Sequence, residues 1–496
     1  MLEQPPSAGS NDVSKNPGKH FATVILVCVP LVIPCFWQKR IQATDLSSHI
    51  YNAWLSVLTA QGKLQGLYLA PQHNNVLFDF ALQWLLPRVG VAATQRIAVS
   101  IAVLIFASGA LALITTLGGR NWSFSLPCVA ILSYGFIFHM GFFNYYISMG
   151  ICMWYLALVW MPSWGHRLAA TPLLLVGWIA HPLPVVWALG MAVYIVLARQ
   201  IFRRHTLWIF SLGSLTIIGT RLFLIHSYAC LWSSSQLYWV TGANDVMVFG
   251  SGYALVMAAL LIVWLWRVRR LIKQNNALAG TIPIQLWVLN ALAVCLIPNN
   301  IFFPQYGSPL GMITQRLSLG AAILLCAVLA ALPTNAAERV GLVLIAAVFF
   351  GMIFADTWKL NRIEDDIDAA VAQLPAGERV LGSFPTRLKR VSPLLHALDR
   401  ACIGRCFSYA NYEPSSRQFR LRVRSDNPYV MKNYGDAFDV QMGRYVVQPR
   451  DLPAYLVYLC GEEKDRVCSH PLQAGDVAGP VSSPSSAALP SQITVR

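Results

Sequence analysis

The chain has few charged residues for its length. Only 12% of its 496 residues are Asp, Glu, Lys or Arg, whereas a soluble globular protein has roughly 25%. Hydrophobic residues make up 56%, so too little polar surface remains for a soluble body of this size. The shortage of charge therefore argues against an ordinary soluble protein and favours one that is embedded in a membrane.

Several motifs of well-known enzymes and pumps are also missing. The sequence has no phosphate-binding Walker loop, no glycine-rich dinucleotide fingerprint and no Gly-x-Ser-x-Gly nucleophile elbow. The missing nucleotide motifs argue against a nucleotide-driven pump. The two halves show no inverted repeat of hydropathy, which weighs against a secondary transporter.

Long apolar runs are what the sequence has in place of charge. A bilayer core about 30 Å thick needs roughly 20 apolar residues in a helix. Backbone polar groups in lipid must be satisfied within the segment, so the long runs are predicted to be helices. The predicted spans are 21–37, 96–117, 122–139, 147–162, 169–181, 184–199, 207–225, 246–266, 281–297, 315–332 and 339–355.

The distribution of Lys and Arg between the predicted loops provides a test of this number of crossings. With the N-terminus in the cytoplasm, all five inner loops carry Lys or Arg, and none of the four short outer loops does. This is the positive-inside pattern, and it accounts for the net charge of +15 without a nucleic-acid partner. An odd number of crossings places the C-terminal segment outside.

These patterns predict an α-helical polytopic membrane protein with about 11 transmembrane helices, the N-terminus in and the C-terminus out. Alternating apolar stretches at Glu378–Phe384 and Tyr455–Leu459 predict strands, and hence a small extracytoplasmic α+β domain at the C-terminus. A tail rich in Ser, Pro and Ala is predicted to be disordered. The predicted segments are a cytoplasmic tail at 1–20, a transmembrane domain at 21–356 with a long first outer loop at 38–95, the α+β domain at 357–470 and the disordered tail at 471–496.

Four of the eleven cysteines lie in the predicted outer domain, which is an even number in a compartment that permits disulfides. Local pairing would join Cys402 to Cys406 and Cys460 to Cys468, while the two other pairings stay open. A zinc site is the alternative, although the spacings match no common zinc pattern.

The first outer loop contains residues that can carry chemistry. From Ala43 to Leu55, apolar residues recur at three- and four-residue spacing, which predicts a juxtamembrane helix with Thr44 or Asp45 as its N-cap. Asp45 and His49 are four residues apart and would project from one side of that helix. Such a carboxylate can accept a proton from an attacking hydroxyl, or hold a divalent metal together with His49. The plainer interpretation is a surface helix with a capping Asp and an interfacial His.

Other polar residues are predicted to lie at the outer face. His73 and Asp79 form either the second wall of a cleft or a solvated turn in the same loop. Asn144 and His181 lie at the outer ends of other spans, where the plainer interpretation of His181 is a satisfied interfacial histidine. Arg316 lies just inside the tenth span, where an arginine is costly unless it is paired or near headgroups. It either reaches the headgroups or grips a phosphate with its fork-shaped guanidinium.

The layout resembles the GT-C superfamily of integral-membrane glycosyltransferases. A first span, a long outer loop that opens with an acidic residue on a juxtamembrane helix, many further spans and an outer C-terminal domain are common to both. The stretch Asp45-Leu46-Ser47-Ser48-His49 resembles the acidic motif of that loop, with one Asp in place of a tight acidic pair. The stretches that resemble patterns of bacterial relatives are Gly141-Phe142-Phe143-Asn144-Tyr145, His181-Pro182 and Gln315-Arg316-Leu317.

The resemblance implies a reaction at the extracytoplasmic face of a bacterial inner membrane, in the cell envelope. The donor would be a polyprenyl-phosphate-linked sugar, and the acceptor a glycan, a lipid or a protein. Asp45 would be the general base of an inverting transfer, His49 would orient Asp45 or contact phosphate, and Arg316 would stabilise the leaving phosphate. No motif demands a cofactor; some family members use a divalent metal, magnesium or manganese, and others do not. The expected substrate-binding residues are His73, Asp79, Asn144, His181 and Arg316.

Two other functions stay open at this point. A transporter, flippase or polymerase-like handler of lipid-linked saccharides would place ionisable residues at mid-membrane on several helices, whereas here they concentrate at the outer face. A non-catalytic membrane scaffold would leave the polar residues of the first loop without a common cavity.

Overall fold

The fold is mostly helical, with several long apolar helices and a small sheet-containing region near the C-terminus. The computed structural model describes residues 17–119, 121–201, 205–274, 281–384, 390–424, 426–460 and 466–478. Its α-helices are α1 Pro17–Cys28, α2 Thr44–Ala60, α3 Leu77–Gly118, α4 Trp122–Ser133, α5 Phe136–Met140, α6 Phe143–Trp160, α7 Trp164–Ala180, α8 Pro182–Val196, α9 Thr206–Ser227, α10 Tyr253–Gln274, α11 Ile282–Leu296, α12 Ile313–Ala330, α13 Ala336–Ala372, α14 Ala397–Cys402, α15 Glu413–Ser416 and α16 Tyr434–Gln441.

The strands form one four-stranded sheet and three two-stranded pairs. The larger sheet has the order β5-β4-β8-β9, with β4 parallel to β5 and β8, and β9 antiparallel to β8. The strands are β1 Leu67–Leu69, β2 Ala229–Leu231, β3 Asn300–Phe302, β4 Arg379–Ser383, β5 Phe407–Ser408, β6 Leu421–Val423, β7 Tyr445–Val446, β8 Ala454–Cys460, β9 Arg466–Pro471 and β10 Val477–Ala478. The strands predicted at Glu378–Phe384 and Tyr455–Leu459 are therefore confirmed as β4 and β8.

The protein is membrane-embedded. In the part of the chain that the structure describes, seven helices are long and apolar enough to cross a bilayer. Each of the eleven predicted spans overlaps a helix, although the number of crossings and the orientation remain predictions. The seven segments are Gly18–Cys35, Leu77–Gly118, Trp122–Met140, Pro182–Arg199, Thr206–Ser227, Ile313–Ala330 and Ala336–Ala372.

Helix α13 extends well past the span predicted at 339–355. It begins at a capping box, in which Asn335 Oδ1 accepts from the Glu338 amide at 2.8 Å. Its 37 residues span about 55 Å at 1.5 Å per residue, whereas the bilayer core is about 30 Å thick. The helix is therefore longer than the predicted span requires, and its second half brings Glu364 to Gln42 and to Arg400 of the C-terminal region.

Helix α3 is bent, and the bend separates a loop segment from a span. Gly90 has φ 74° and ψ 171°, and Pro87 lies just before it. A positive φ of this kind favours glycine. The part before Gly90 carries Asp79, and the part after it contains the span predicted at 96–117.

The first outer loop and the C-terminal region are joined directly. Strand β1 of the loop pairs antiparallel with β6, with Leu67 opposite Val423. The buried Arg400 donates to Ser47 Oγ at 2.6 Å and to the Ile41 carbonyl at 3.2 Å. Because these contacts connect segments far apart in sequence, helix α2 is held between the membrane helices and the C-terminal region.

Two disulfides close local loops near the sheet. Cys402 is bonded to Cys406 between α14 and β5, and Cys460 is bonded to Cys468 between β8 and β9. The local pairing is thus the one observed, and the zinc alternative is wrong for these four cysteines.

Two predicted segments lie partly outside the described residues. Of the tail 471–496 predicted to be disordered, residues 477 and 478 form β10 and pair with β7, so the prediction is wrong there; 479–496 lie outside the described residues. Residues 1–16 of the predicted cytoplasmic tail also lie outside them.

Candidate functional site

Helix α2 presents the predicted base at its first turn. The structure confirms the helix and corrects its cap: Ala43 is the N-cap residue, with no side-chain capping bond, and Asp45 lies in the first turn. Leu46 and Ile50 are fully buried and anchor the helix. Gly141 packs on its start, because a Cβ there would lie 2.7 Å from the Asp45 amide nitrogen. The backbone at Asp45 is therefore closely packed, and the Asp45 carboxylate makes no capping hydrogen bond.

The C-terminal region places an imidazole and a second carboxylate next to Asp45. Nε2 of His396 lies 3.9 Å from Asp45 Oδ1, and its Nδ1 lies 3.3 Å from Asp399 Oδ2. Asp399 Oδ1 accepts a hydrogen bond from Ser408 Oγ at 2.5 Å. A row of acid, imidazole and acid therefore runs from α2 into the C-terminal region.

His49 pairs with Asp79 rather than with Asp45. The distance from His49 Nδ1 to Asp79 Oδ1 is 2.8 Å, and Asn144 Nδ2 donates to Asp79 Oδ2 at 3.0 Å. Burial disfavours the imidazolium, but Asp79, Glu413 and Asp45 outweigh it and raise the pKa of His49 to about 10. His49 is therefore charged at neutral pH. Its Nδ1 bonds Asp79 rather than Asp45, and the roles predicted for it, orienting Asp45 or contacting a phosphate, stay predictions.

Glu413 is a further buried acid of the same cluster. Its Oε1 accepts from Ser48 Oγ at 2.7 Å, on the helix that carries Asp45. Burial raises the pKa of Glu413 to about 7, although His49 and the Ser48 hydrogen bond oppose the rise. Asn52 and Asn411 exchange side-chain hydrogen bonds beside it, one of 2.7 Å and one of 3.3 Å. The interface between α2 and the C-terminal region is thus polar and fully ordered at this point.

Arg316 brings a cation to the cluster without a carboxylate of its own. It makes no ion pair with a carboxylate in the described ranges, and its buried Nε lacks a hydrogen-bond partner there. Its guanidinium lies 4.1 Å from the Phe142 ring centroid, and Nη1 lies 3.4 Å from His181 Nε2. Asn299 positions the start of its helix by accepting from Thr314 Oγ1 at 2.8 Å. A buried guanidinium with an unused donor is a site for an anion.

The electrostatic setting of Asp45 has opposing parts. Burial raises the pKa of Asp45, whereas the charges of His396, His49 and Arg316, in that order, lower it. The pKa remains above its ordinary value. A carboxylate with a raised pKa is a stronger proton acceptor than an exposed one, provided that it is ionised.

Six of the seven predicted site residues belong to this arrangement, and His73 does not. Its side chain is exposed and makes no hydrogen bond or ion pair with any residue that the structure describes. No three His, Cys, Asp or Glu side chains of the described chain are grouped to hold a metal ion. A metal site that used Asp45 and His49 would therefore have no third His, Cys, Asp or Glu ligand in the described part of the chain.

Sequence reasoning missed His396, Asp399, Tyr412 and Glu413. His396 and Asp399 have an i, i+3 spacing that resembles the one noted for Asp45 and His49, but no apolar periodicity marked their segment as part of a site. Their partners on α2 lie some 350 residues away in sequence, as the 353-residue separation of Ser47 and Arg400 illustrates.

Comparisons with known proteins do not identify a family. No protein-family model, no curated protein and no solved structure matches the chain. The case for a function therefore rests on the residues and their geometry.

Proposed function

We propose that the protein is a membrane glycosyltransferase that moves a sugar from a polyprenyl-phosphate donor to an acceptor hydroxyl, with inversion, at the outer face of a bacterial inner membrane. The observation that carries the proposal is the presence of two groups in one cluster. Arg316 is a cation with a buried Nε that lacks a hydrogen bond among the described residues, and Asp45 is a part-buried carboxylate whose pKa the charge of Arg316 lowers. The first suits a phosphate and the second suits a hydroxyl proton.

The chemistry needs these two groups at opposite ends of the reacting bond. The acceptor hydroxyl gives its proton to Asp45 while its oxygen bonds to the anomeric carbon. The bond between that carbon and the phosphate oxygen breaks, and the lipid phosphate leaves with the electron pair. Arg316 offsets the charge that develops on the leaving phosphate, and the imidazolium of His49 adds to the positive potential.

The convergence of the first-loop residues also supports catalysis over a passive scaffold. Asp45, His49 and Asp79 lie in one network with Asn144 and Glu413, and several of these groups are buried. Buried titratable groups with shifted pKa values are typical of functional sites.

Arg316→Gln is expected to lower transfer from a polyprenyl-phosphate sugar about 10²- to 10³-fold, because a transition-state charge loses its donor. The assay uses purified protein in lipid, a panel of radiolabelled polyprenyl-phosphate sugars and acceptors from a membrane extract. Arg339→Gln, at an exposed position of a predicted inner loop, is the matched control and should transfer at the wild-type rate. Equal rates for both variants would remove Arg316 from the site.

The proposed orientation predicts which loops a membrane-impermeant maleimide reaches. In a Cys230→Ser background, Ser235→Cys in an exposed loop is expected to react in intact cells, whereas Ala337→Cys should react only after the membrane is permeabilised. The reverse labelling pattern would place the Asp45 cluster on the cytoplasmic side.

A further inference from the structure

The C-terminal region contributes an imidazole that the proposed reaction has so far left without a role. His396 ends the short 3-10 helix Pro393–His396, and its side chain is almost fully buried. It lies between two carboxylates, at 3.9 Å from Asp45 and 3.3 Å from Asp399. A histidine held between two acids at a buried interface can act on either of them.

Asp399 lies on the other side of the His396 ring, with its Oδ2 at 3.3 Å from Nδ1. Asp399 is itself held by Ser408 Oγ, and Ser408 is held in turn by Tyr51, whose hydroxyl oxygen accepts from the Ser408 amide at 2.9 Å. The ring also packs against Tyr412, with centroids 5.3 Å apart. With Nδ1 directed at Asp399, Nε2 has to face Asp45. A carboxylate that orients one imidazole nitrogen in this way determines what the other nitrogen can do.

The charges around His396 favour the protonated, imidazolium form of its side chain. Burial alone would lower the pKa of His396, but Asp399, Asp45 and Glu413 outweigh it and raise that pKa. An imidazolium carries a proton on both nitrogens, so in that form Nε2 presents positive charge to Asp45 at 3.9 Å and cannot take a proton from it. The charged or titratable groups that face His396 and Asp45 are His49 on α2, Arg316 on α12, Asp399 on α14, and Tyr412 and Glu413 at α15. Asp79 on α3 acts on this group through His49 and Glu413.

We propose that His396, aligned by Asp399, is a positioning residue that holds the Asp45 carboxylate in its ionised form and directs its free oxygen at the acceptor hydroxyl. This inference rests on the proposed function, in which Asp45 takes the acceptor proton. His396 neither touches the acceptor nor receives the proton. His396 approaches Asp45 from the C-terminal region, which therefore contributes a residue to a site whose base lies on α2.

The first test is the pH dependence of kcat/KM for sugar transfer. Loss of a cation near Asp45 disfavours the carboxylate, so in His396→Gln the acid limb of the profile is expected to move to higher pH by roughly one unit. Asp399→Asn should move it in the same direction, because the imidazolium loses a partner. His396→Lys retains a cation and should restore part of the wild-type profile. His470→Gln, at an exposed position of β9, is the matched control and should leave the profile unchanged.

A profile that keeps its acid limb in both His396→Gln and Asp399→Asn would overturn the inference, even if activity fell equally at every pH. In that event Asp45→Asn would still test the proposed function, because its loss of transfer does not depend on His396. Transfer that survives in Asp45→Asn would instead remove the base, and with it the proposed reaction.

A second measurement needs neither substrate nor activity. The His396 imidazole can be titrated by NMR in protein labelled with ¹³C-histidine, its signal being assigned from the spectrum of His396→Gln or, if that variant does not fold, of His396→Lys. In Asp45→Asn the ring loses a nearby negative charge, so its titration midpoint is expected to fall by roughly one pH unit relative to wild type. An unchanged midpoint would show that the two side chains do not interact and would overturn the inference.

Discussion

Asp45→Asn is expected to lower sugar transfer at least about a hundredfold, since positioned general bases contribute 10²- to 10⁴-fold. The amide has nearly the same shape as the carboxylate but cannot accept the acceptor proton. Because Asp45 is in the first turn of α2 and makes no capping bond, the exchange leaves the helix intact. The measurement is the transfer rate from radiolabelled polyprenyl-phosphate sugars by protein reconstituted in lipid.

Asp366→Asn is the control for this experiment. Asp366 is an exposed residue of α13, and we expect its variant to transfer at the wild-type rate. Equal activity of wild type and Asp45→Asn would exclude Asp45 as the base and direct attention to Asp79, whose Oδ1 and Oδ2 are engaged by His49 and Asn144.

Glu364→Ala is expected to cost about 3–5 kcal/mol of the free energy of unfolding, because it leaves the buried Arg400 without a carboxylate partner among the described residues. Glu364 is 2% exposed, and its Oε2 lies 3.5 Å from Arg40 Nε and 3.7 Å from Arg400 Nε. Its Oε1 also accepts from Gln42 Nε2 at 2.8 Å. Arg400 continues the network to Ser47 on the helix of the proposed base. Equilibrium unfolding in mixed detergent measures the loss.

The neighbouring acid provides a matched comparison for this prediction. Asp365 also pairs with Arg40, at 2.8 Å, but its side chain is 49% exposed. Solvent screens such a pair, so Asp365→Ala is expected to cost less than about 1 kcal/mol. If the two variants lost similar stability, the buried network would not be what holds the C-terminal region against α2.

The helices of the membrane domain could be predicted because each of them follows from an apolar run within its own segment. The apolar run at 207–225 and the observed helix Thr206–Ser227 differ by only a few residues, since a backbone in lipid must satisfy its own hydrogen bonds. The start of α10 was less predictable. The run at 246–266 begins with apolar residues, yet the helix starts at Tyr253, directly after Gly250, Ser251 and Gly252. Glycine is a poor helix former, and the Val248 carbonyl accepts instead from the Val391 amide at 3.3 Å.

In the candidate site, too, some features could be predicted from the sequence and others depend on contacts between distant segments. Asp45 and His49 were identifiable because their spacing places them on one side of a helix, and Arg316 because an arginine at the end of a span is unusual. The cap at Ala43 was missed, because the helix begins one residue before the positions predicted from capping preference and uses no side-chain capping bond. His73 was included because it lies in the same loop, but proximity in sequence does not bring it to the cluster.

Apolar runs, alternation and helical spacing act over a few residues, so they predicted the mostly helical class with long apolar helices, the strands β4 and β8, and the helix that carries Asp45 and His49. Which charges lie next to each other depends on the three-dimensional fold. The Asp79 partner of His49, the His396 and Asp399 pair facing Asp45, and the Glu413 contact with Ser48 join segments far apart in the chain. The free energy of such buried polar contacts depends on distance and burial, which spacing along the sequence does not contain.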